Sequence, residues 1–558
     1  MSREKYFPQP SVMSAQQHFS QVPKAEIQRS KFDRSHAYKT TFDAGKLLPV
    51  YVDEVLPGDT FTMKATAFAR LATPLKPVMD NMYLDTHFFF VPYRLIWDHW
   101  QEFCGERLNP DDDPTEYTIP QTAINLGALN GSTLADYFGL PVRSGVGSVN
   151  VSALPFRAYA LIWNEWYRDQ NLQTRIALNT GDGPDVWNGV EPYRRGKRHD
   201  YFTSCLPWPQ KGDPVMVPLG DQAPLFGVAD IDILSTGTVE VNDIRNYAGV
   251  NQGYLQLNGA GIGGGLRSDN PPSGTATIPV KLRGNVDPGS VTGTFDLDQP
   301  GLYADLASAT AMSINDLRTA FQIQRLLERD ARGGTRYIEL ILSHFGVHSP
   351  DARLQRPEYL GGGTSRININ PIASTVAGQD APQANLAAVG TGVNQASFQK
   401  AFTEHGIIIG LVSARADLTY QQGIDRFWSR QTRYDYYWPA LVHLGEQAVL
   451  NKEIFVQGTS ADDDVFGYQE RFAEYRYKLS RVTGLFSSEI PTSLDVWHLA
   501  QDFASLPALN GSFIQDNPPI DRIIAVPSEP HFLADFWFDL KCDRPMPVYS
   551  VPGLIDHF

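Results

Sequence analysis

The chain has few cysteines: three in 558 residues, at Cys104, Cys205 and Cys542. They lie far apart, with no Cys-x-x-Cys pair and no histidine at ligand spacing, so neither a disulfide framework nor a zinc site is supported. No apolar signal segment opens the sequence, and no run reaches the roughly 18 apolar residues that a membrane span requires. These absences predict a soluble protein of a reducing compartment, with no membrane partner.

Catalytic motifs are also missing. GxSxG, HExxH and Walker sequences do not occur, and the glycines of 259–264 fit GxGxxG only literally, because the following LRSDNPPSG cannot begin the helix of a dinucleotide site. His344 and His348 have the spacing of a zinc pair, but Gly346 and Pro350 interrupt the helix that would aim both rings at one ion. We therefore expect a protein that is not an enzyme and carries no cofactor.

Two runs of three aspartates, at 111–113 and 462–464, are the remaining candidates for a cation site. Neither has the spaced ligands and the glycine of a calcium loop. Solvated turns are favoured, and a loosely bound cation stays open as the alternative.

What the chain does contain is turn-forming and apolar material. It has 46 glycines and 39 prolines spread along its length, with 42% hydrophobic and 11% aromatic residues. Such a composition favours a loop-rich β protein with a sizeable core over a helical bundle. Alternating apolar residues predict strands at Thr60–Leu71 and Phe532–Leu540, and apolar runs predict buried strands at His87–Tyr93 and in HGIIIGLV.

Two segments are predicted to be helical. The stretch from Ser313 to Gly334 opens with a capping pattern, turns a stripe that includes Phe321, Ile323 and Leu326 inward, and stops at two glycines. The sequence RAYALIWNEWYRDQNL is a weaker candidate.

Two further segments differ from the rest in composition. Residues 1–40 are polar, with seven Lys/Arg against three Asp/Glu, and are interpreted as a basic arm. Residues 221–304 contain 14 glycines and nine Asp/Glu against four Lys/Arg, and are interpreted as an insertion outside the main core.

The strongest candidate for a binding site is the basic stretch PYRRGKRHDYF. Arg194, Arg195, Lys197 and Arg198 could contact phosphates, while Tyr201, Phe202 and Trp208 could stack on unpaired bases. The alternative is a charged surface turn that leads into a buried aromatic anchor, and composition leaves both open. A second candidate contact lies in the basic arm, at four of its seven cations: Lys24, Arg29, Lys31 and Arg34.

Long segments of the chain resemble one family. TPLKPVMDNMYLDTHFFFVPYRLIW, KRHDYFTSCLPWPQKG, DRFWSRQTRYDYYWPALVHLGEQAV and DFWFDLKCDRPMPVYS are similar to the major capsid proteins of the gokushovirus branch of the Microviridae, small tailless phages with circular single-stranded DNA. The similarity runs through nearly the whole chain in the same order and lapses mainly in 221–304.

The resemblance implies an all-β fold with helical excursions, an eight-stranded antiparallel viral jelly roll with long inter-strand loops. Residues 41–220 and 305–558 would form the two parts of its core. The insertion 221–304 would form protrusions at the threefold axes of a sixty-copy, T=1 shell and serve in host attachment.

The resemblance also implies a set of partners for a virion protein assembled in the host bacterial cytoplasm. These are other copies of the chain, the packaged single-stranded DNA, a small basic internal DNA-binding protein, a minor pilot or spike protein, a scaffolding protein and a host receptor. A net charge of −15 repeated sixty times opposes DNA, so contact would be local, through the arm and the Arg194–Arg198 stretch.

Two other classes of protein remain to be weighed against this one. A carbohydrate-binding jelly-roll protein of non-viral origin is the main alternative, since jelly rolls often bind sugars. A non-viral protein that binds single-stranded nucleic acid should be basic overall, which this chain is not.

Overall fold

The architecture was obtained from a computed structural model. It describes residues 28–106, 117–213, 314–332, 355–375 and 383–549, with the short pieces 215, 225–227, 234–235, 295–296, 302–304 and 343. The chain divides into two compact units, one made of Met1–Gly212 and Leu327–Phe558 and the other of Asp213–Leu326. The predicted insertion 221–304 lies within the second unit, although most of it falls outside the described residues.

Strands dominate the described residues. The first unit begins with β1 (Ser30–Asp33), β2 (His36–Phe42), β3 (Leu48–Val55), β4 (Thr60–Leu71), β5 (Met82–Pro92), β6 (Gln121–Asn125) and β7 (Ser148–Ser152). The second unit contains β8 (Leu225–Gly227), β9 (Leu234–Ser235), β10 (Phe295–Asp296) and β11 (Leu302–Ala304). The first unit resumes with β12 (Glu358–Ala373), β13 (Leu386–Ala401), β14 (Gly406–Ala416), β15 (Thr419–Tyr420), β16 (Glu446–Leu450), β17 (Val465–Glu470), β18 (Ser480–Arg481) and β19 (Phe532–Arg544).

Among the described residues, nine strands form one curled antiparallel sheet in the order β1-β19-β4-β13-β12-β5-β14-β3, with β2 also pairing with β19. The sheet changes partner along β12, whose first half pairs with β5 and whose second half pairs with β13. The last strand therefore pairs with the first strands of the chain, as a sheet built from distant segments requires. The predicted all-β class is confirmed.

The alternation of the sequence decides which side chains enter the core. On β4 and β19 every second residue is buried, including Phe61, Met63, Phe536 and Phe538. On β5 the apolar run is buried on both faces: Phe88 and Phe90 pack into the core inside the curl. Phe89 instead packs into a second core on the other face of the sheet. The predicted buried strand at His87–Tyr93 is thus confirmed.

In the parts of the chain that the structure describes, all helices but α3 and α4 are short: α1 (Trp100–Phe103), α2 (Leu134–Tyr137), α3 (Leu154–Ile162), α4 (Ile314–Arg332), α5 (Asn451–Ile454) and α6 (Gly511–Ile514). The weaker helix candidate is confirmed by α3, which continues as a π-helical turn over Trp163–Tyr167. The stronger candidate is confirmed by α4, but its inward stripe is wrong, because Phe321, Ile323 and Leu326 are all exposed. Helical spacing shows which residues share a face, whereas only a neighbouring element can bury that face.

The described part of the N-terminal segment is not an isolated arm. Within the segment expected to be an arm, β1 pairs with the end of β19 and β2 pairs with its first half. An arm interpretation therefore applies only to the residues before 28, which lie outside the described residues.

No helix in the described part of the chain is long and apolar enough to cross a bilayer. Of the three cysteines, all free, Cys205 and Cys542 are buried and Cys104 is exposed.

Candidate nucleic-acid interface

The backbone of the basic stretch is fixed from two sides. The Arg195 amide donates to the carbonyl of Gly45, and its carbonyl accepts from the amide of Asp516. Two residues later the Lys197 amide donates to the carbonyl of Ile514. The stretch is therefore an extended segment held between two distant parts of the chain.

Arg195 joins a buried ion cluster on the sheet. Its guanidinium donates to Asp85 of β5 at 2.6 Å and to the Ser413 hydroxyl at 2.8 Å. Arg415 of β14 donates to the same Asp85 oxygen at 2.7 Å, and Asp85 is fully buried. Burial favours a raised pKa for Asp85, but the charges of Arg195 and Arg415 outweigh it, so the pKa lies below its ordinary value. One carboxylate thus holds two arginines together.

The other three cations also have partners within the chain. Arg194 donates to the carbonyl of Asp516 at 3.2 Å and to the side chain of Asn517 at 2.9 Å. The Lys197 ammonium lies 4.4 Å from the ring centre of Phe513, and burial lowers the pKa of this lysine. Arg198 pairs with Asp417 at 3.0 Å and lies 3.9 Å from the ring centre of Tyr83, while its side chain stays about one-third exposed. Arg198 is therefore more open to a ligand than Arg195 or Lys197.

Three of these cations line one cavity of about 410 Å³, which we call the basic cavity. Its lining consists of His87, Phe89, Trp166, Tyr167, Arg195, Gly196, Lys197, Arg198, His199, Tyr359 and Arg415. Arg194 points instead toward residues 516 and 517. The structure thus brings together only part of the predicted cation cluster and adds Arg415 from β14.

The walls of the basic cavity are aromatic. Trp166 is 41% exposed and Tyr359 is 43% exposed, and their ring centres lie 6.0 Å apart. The Trp166 indole donates to the carbonyl of Pro357 at 3.0 Å, which fixes the ring. Burial, with a contribution from the charge of Arg195, lowers the pKa of His87 to about 4, so this imidazole is neutral near pH 7. Guanidinium groups beside exposed ring faces suit a ligand with a phosphate and a planar base.

The aromatic residues that follow the basic stretch do not line this cavity. Tyr201 and Phe202 are buried in a third hydrophobic core, and the Tyr201 hydroxyl donates to Glu453 at 2.8 Å. The alternative of a buried aromatic anchor is confirmed for these two residues, and base stacking on them is wrong because their faces are already covered. Trp208 is half-buried.

The candidates of the N-terminal segment lie elsewhere on the sheet. Lys24 lies outside the described residues. Arg29 donates to the carbonyl of Gly58, Arg34 pairs with Asp53, and Lys31 is exposed on β1 opposite Asp543. Their contact with DNA stays a prediction.

Of the two aspartate runs that were candidates for a cation site, the structure describes the one at 462–464, and its carboxylates make contacts within the chain. Asp462 accepts from the amides of Gln457 and Gly458, and Asp463 pairs with Lys452 at 2.6 Å. These contacts support the turn interpretation. The run at 111–113, the pair His344 and His348, and the glycines of 259–264 lie outside the described residues.

Sequence reasoning missed four residues of the site: Asp85, Arg415, Trp166 and Tyr359. A signal existed for Arg415, because the alternation in SARADL puts it on the face opposite Ala414 and Ala416. Asp85 and Tyr359 carry no such local signal, since their role arises from pairing β5 with β12 and β14.

Comparison with known proteins gives matches over nearly the whole chain. The sequence profile of a family described as "Capsid protein (F protein)" matches residues 20–554. Capsid protein VP1 of Bdellovibrio phage phiMH2K is 46% identical over 550 residues, which cover 97% of this chain and 98% of that protein. Capsid protein VP1 of Chlamydia phage 1 is 46% identical over 592 residues, covering 98% of each chain. Capsid protein VP1 of Spiroplasma virus 4 is 37% identical over 565 residues, covering 98% of this chain and 99% of that protein.

Proposed function

The chain belongs to the phage capsid protein family described as the F protein, and from that premise we propose that sixty copies form a T=1 icosahedral shell around circular single-stranded DNA. The observation that carries the proposal is the match over nearly the whole length with capsid proteins of gokushovirus type. The role of such a protein is structural, and its place is the virion. No comparable observation favours a carbohydrate-binding protein of non-viral origin.

Strand order supports the finer proposal of an eight-stranded viral jelly roll. Without the short β1, the curled sheet has eight strands, which in chain order are β2, β3, β4, β5, β12, β13, β14 and β19. Four neighbours in the sheet are the first, eighth, third and sixth of these strands: β2, β19, β4 and β13. The other four neighbours are the fifth, fourth, seventh and second: β12, β5, β14 and β3. This is the order expected of two facing four-stranded sheets formed by folding one long hairpin over itself.

We propose that the glycine-rich insertion 221–304 forms the threefold protrusions and contacts the host receptor. Support comes from its composition and from its place inside a separate compact unit, Asp213–Leu326. Deleting 221–304 should leave shell assembly intact and abolish host adsorption. A deletion variant that adsorbs like the wild type would contradict this role.

We propose the basic cavity as a local contact with the genome. Arg198 would bind a phosphate, and a base would stack on the exposed rings of Trp166 and Tyr359, which line the same cavity as Arg195 and Arg415. Such a contact reconciles DNA binding with a chain whose net charge is −15. The internal basic protein, the pilot or spike protein and the scaffolding protein would be further partners during assembly in the host cytoplasm.

Electron microscopy of the purified chain, expressed with its assembly partners, tests the shell. We expect closed particles whose sixty copies of 62.1 kDa amount to about 3.7 MDa of this protein. A monodisperse monomer under every assembly condition would overturn the proposal.

DNA content tests the cavity separately. Arg198→Gln combined with Trp166→Leu should give shells that retain less DNA, while the thermal unfolding midpoint reports whether packing has changed. Substituting all four cations of the stretch is less informative, because loss of Arg195 also breaks the buried pair with Asp85. Shells of the double variant with normal DNA content would exclude this cavity as the contact.

A further inference from the structure

Eight exposed aromatic side chains lie on one loop-rich surface of the first unit, which we call the aromatic surface. They are Phe427, Trp428, Tyr434, Tyr436, Tyr437, Trp438, Tyr475 and Tyr477. Trp428 is 73% exposed and Tyr434 is 65% exposed. Soluble monomers rarely expose apolar groups together on this scale, so such a surface indicates a binding partner.

The rings are held in place before any partner arrives. The Arg430 guanidinium lies 4.5 Å from the ring centre of Tyr475 and 5.2 Å from that of Tyr436. The Arg433 guanidinium lies 4.8 Å from the ring centre of Trp438. The Trp438 indole N–H donates to the backbone carbonyl of Arg433 at 3.1 Å. Since these side chains are already ordered, little conformational entropy remains to be lost on binding.

The charges of the aromatic surface indicate what kind of partner it binds. Arg430 pairs with Glu474 at 3.1 Å, and Arg481 pairs with Asp425 at 2.5 Å. Arg426 similarly pairs with the buried Glu453 at 2.9 Å. Carboxylates therefore balance most of the arginines of the aromatic surface, which leaves it with little net charge. Arginine and aromatic residues with little net charge are typical of protein–protein interfaces.

The size of the surface fits a stable contact. An aromatic side chain buries about 150–250 Å², so eight that are roughly half exposed offer about 800 Å². That area equals the roughly 800 Å² that each partner buries in a standard interface.

We propose that the aromatic surface is a contact between copies of this chain in the shell. The inference rests on the proposed function, because it assigns to one surface the subunit contact that a shell requires. The partner is a second copy, whose facing surface covers Trp428 and Tyr434 and leaves the cation–π pairs of Arg430 and Arg433 intact.

Charge substitution is the first test. Trp428→Asp with Tyr434→Asp should lower particle yield at least about tenfold, since each introduces a carboxylate into a desolvated contact. The isolated chain should keep its unfolding midpoint, because both side chains are exposed. Trp537→Asp, at a 53% exposed tryptophan on β19, is the matched control and should give a higher particle yield than the double variant.

The outcomes distinguish the proposed role of the aromatic surface from the proposed shell on which it rests. If the wild type forms no particles, the shell itself is refuted. If the wild type and the double variant assemble alike, or if Trp537→Asp loses as much yield, only the role of the aromatic surface is refuted.

Cross-linking is the second test, and it leaves the fold undisturbed. A photoreactive phenylalanine derivative in place of Tyr434, irradiated in assembled particles, should join two copies of the chain. Cross-links to DNA, cross-links within one chain, for example to the insertion, or the absence of any cross-link would overturn the proposal.

Discussion

Two stretches of the chain combine arginine with aromatic residues, 192–210 and 424–444, and the structure treats them in opposite ways. In the first stretch the rings of Tyr201 and Phe202 enter a core, and the cations border a cavity. In the second, rings such as Trp428 stay exposed. Carboxylates pair with most of the arginines in both stretches, so the rings carry the difference. Similar composition thus gives buried rings in one place and exposed rings in the other, because partners from distant segments decide which groups remain available.

The largest difference should appear in the rings themselves. Phe202→Ala should lower the free energy of unfolding by about 3–5 kcal/mol, since it leaves a cavity in a packed core. Trp428→Ala should change it by less than about 0.5 kcal/mol, because the ring is mostly exposed. Chemical denaturation of the unassembled chain measures both, and equal losses would remove the distinction between the two stretches.

The ion pairs should differ next. Asp85→Asn leaves Arg195 and Arg415 without their shared carboxylate, and we expect a loss of about 3 kcal/mol, the lower end for a broken buried pair because both guanidinium groups are slightly exposed. Asp425→Asn, which removes the partner of Arg481 in the aromatic surface, should cost less than about 1 kcal/mol. The same denaturation experiment compares them, and a larger loss for Asp425→Asn would reverse the ranking.

The two regions should also respond to pH with opposite signs. Burial raises the pKa of Asp516, beside the basic stretch, to about 6, although Arg415 and Lys197 oppose the change. The native chain then binds this proton more tightly than the unfolded chain, so the group's contribution to stability falls as pH rises from about 4 to 6, by about 3 kcal/mol. Measuring the wild type against Asp516→Asn at pH 4 and pH 7 isolates this contribution.

The contrasting group in the aromatic surface is Asp435. Hydrogen bonds from the Thr432 and Gln431 amides lower its pKa, so its contribution to stability is lost as pH falls through that lowered pKa. Asp435→Asn should therefore reduce stability at neutral pH more than in acid. The same sign of pH dependence for Asp516 and Asp435 would contradict the contrast.

The smallest expected effect concerns salt. Arg198→Gln should lower the slope of log affinity against log salt for single-stranded DNA by about 0.7, the value for one phosphate contact. Arg433→Gln, an exposed arginine of the aromatic surface, should leave that slope unchanged. Titrations of single-stranded DNA with protein from disassembled shells, at several salt concentrations, give both slopes. A change in slope for Arg433→Gln alone would exchange the roles of the two regions.

Much of the fold could be predicted because its signals are local. The strands β4, β19 and β5 follow from the order of apolar residues along a few pleats. The bounds of α4 follow from the capping pattern at its start and the two glycines after its end. The extent of the N-terminal strands could not be predicted, since β1 and β2 are polar edge segments that depend on β19 for hydrogen bonds.

The sequence by itself determined the β class, the core faces of the main strands and, through resemblance over nearly its whole length, the capsid family. Tertiary structure alone decided which charged and aromatic groups are available to a partner. Arg195 is held by Asp85, 110 residues earlier, and Tyr201 by Glu453, 252 residues later. A side chain's exposure and net charge depend on such neighbours, and a hydrogen-bond partner hundreds of residues away leaves no trace in the local pattern.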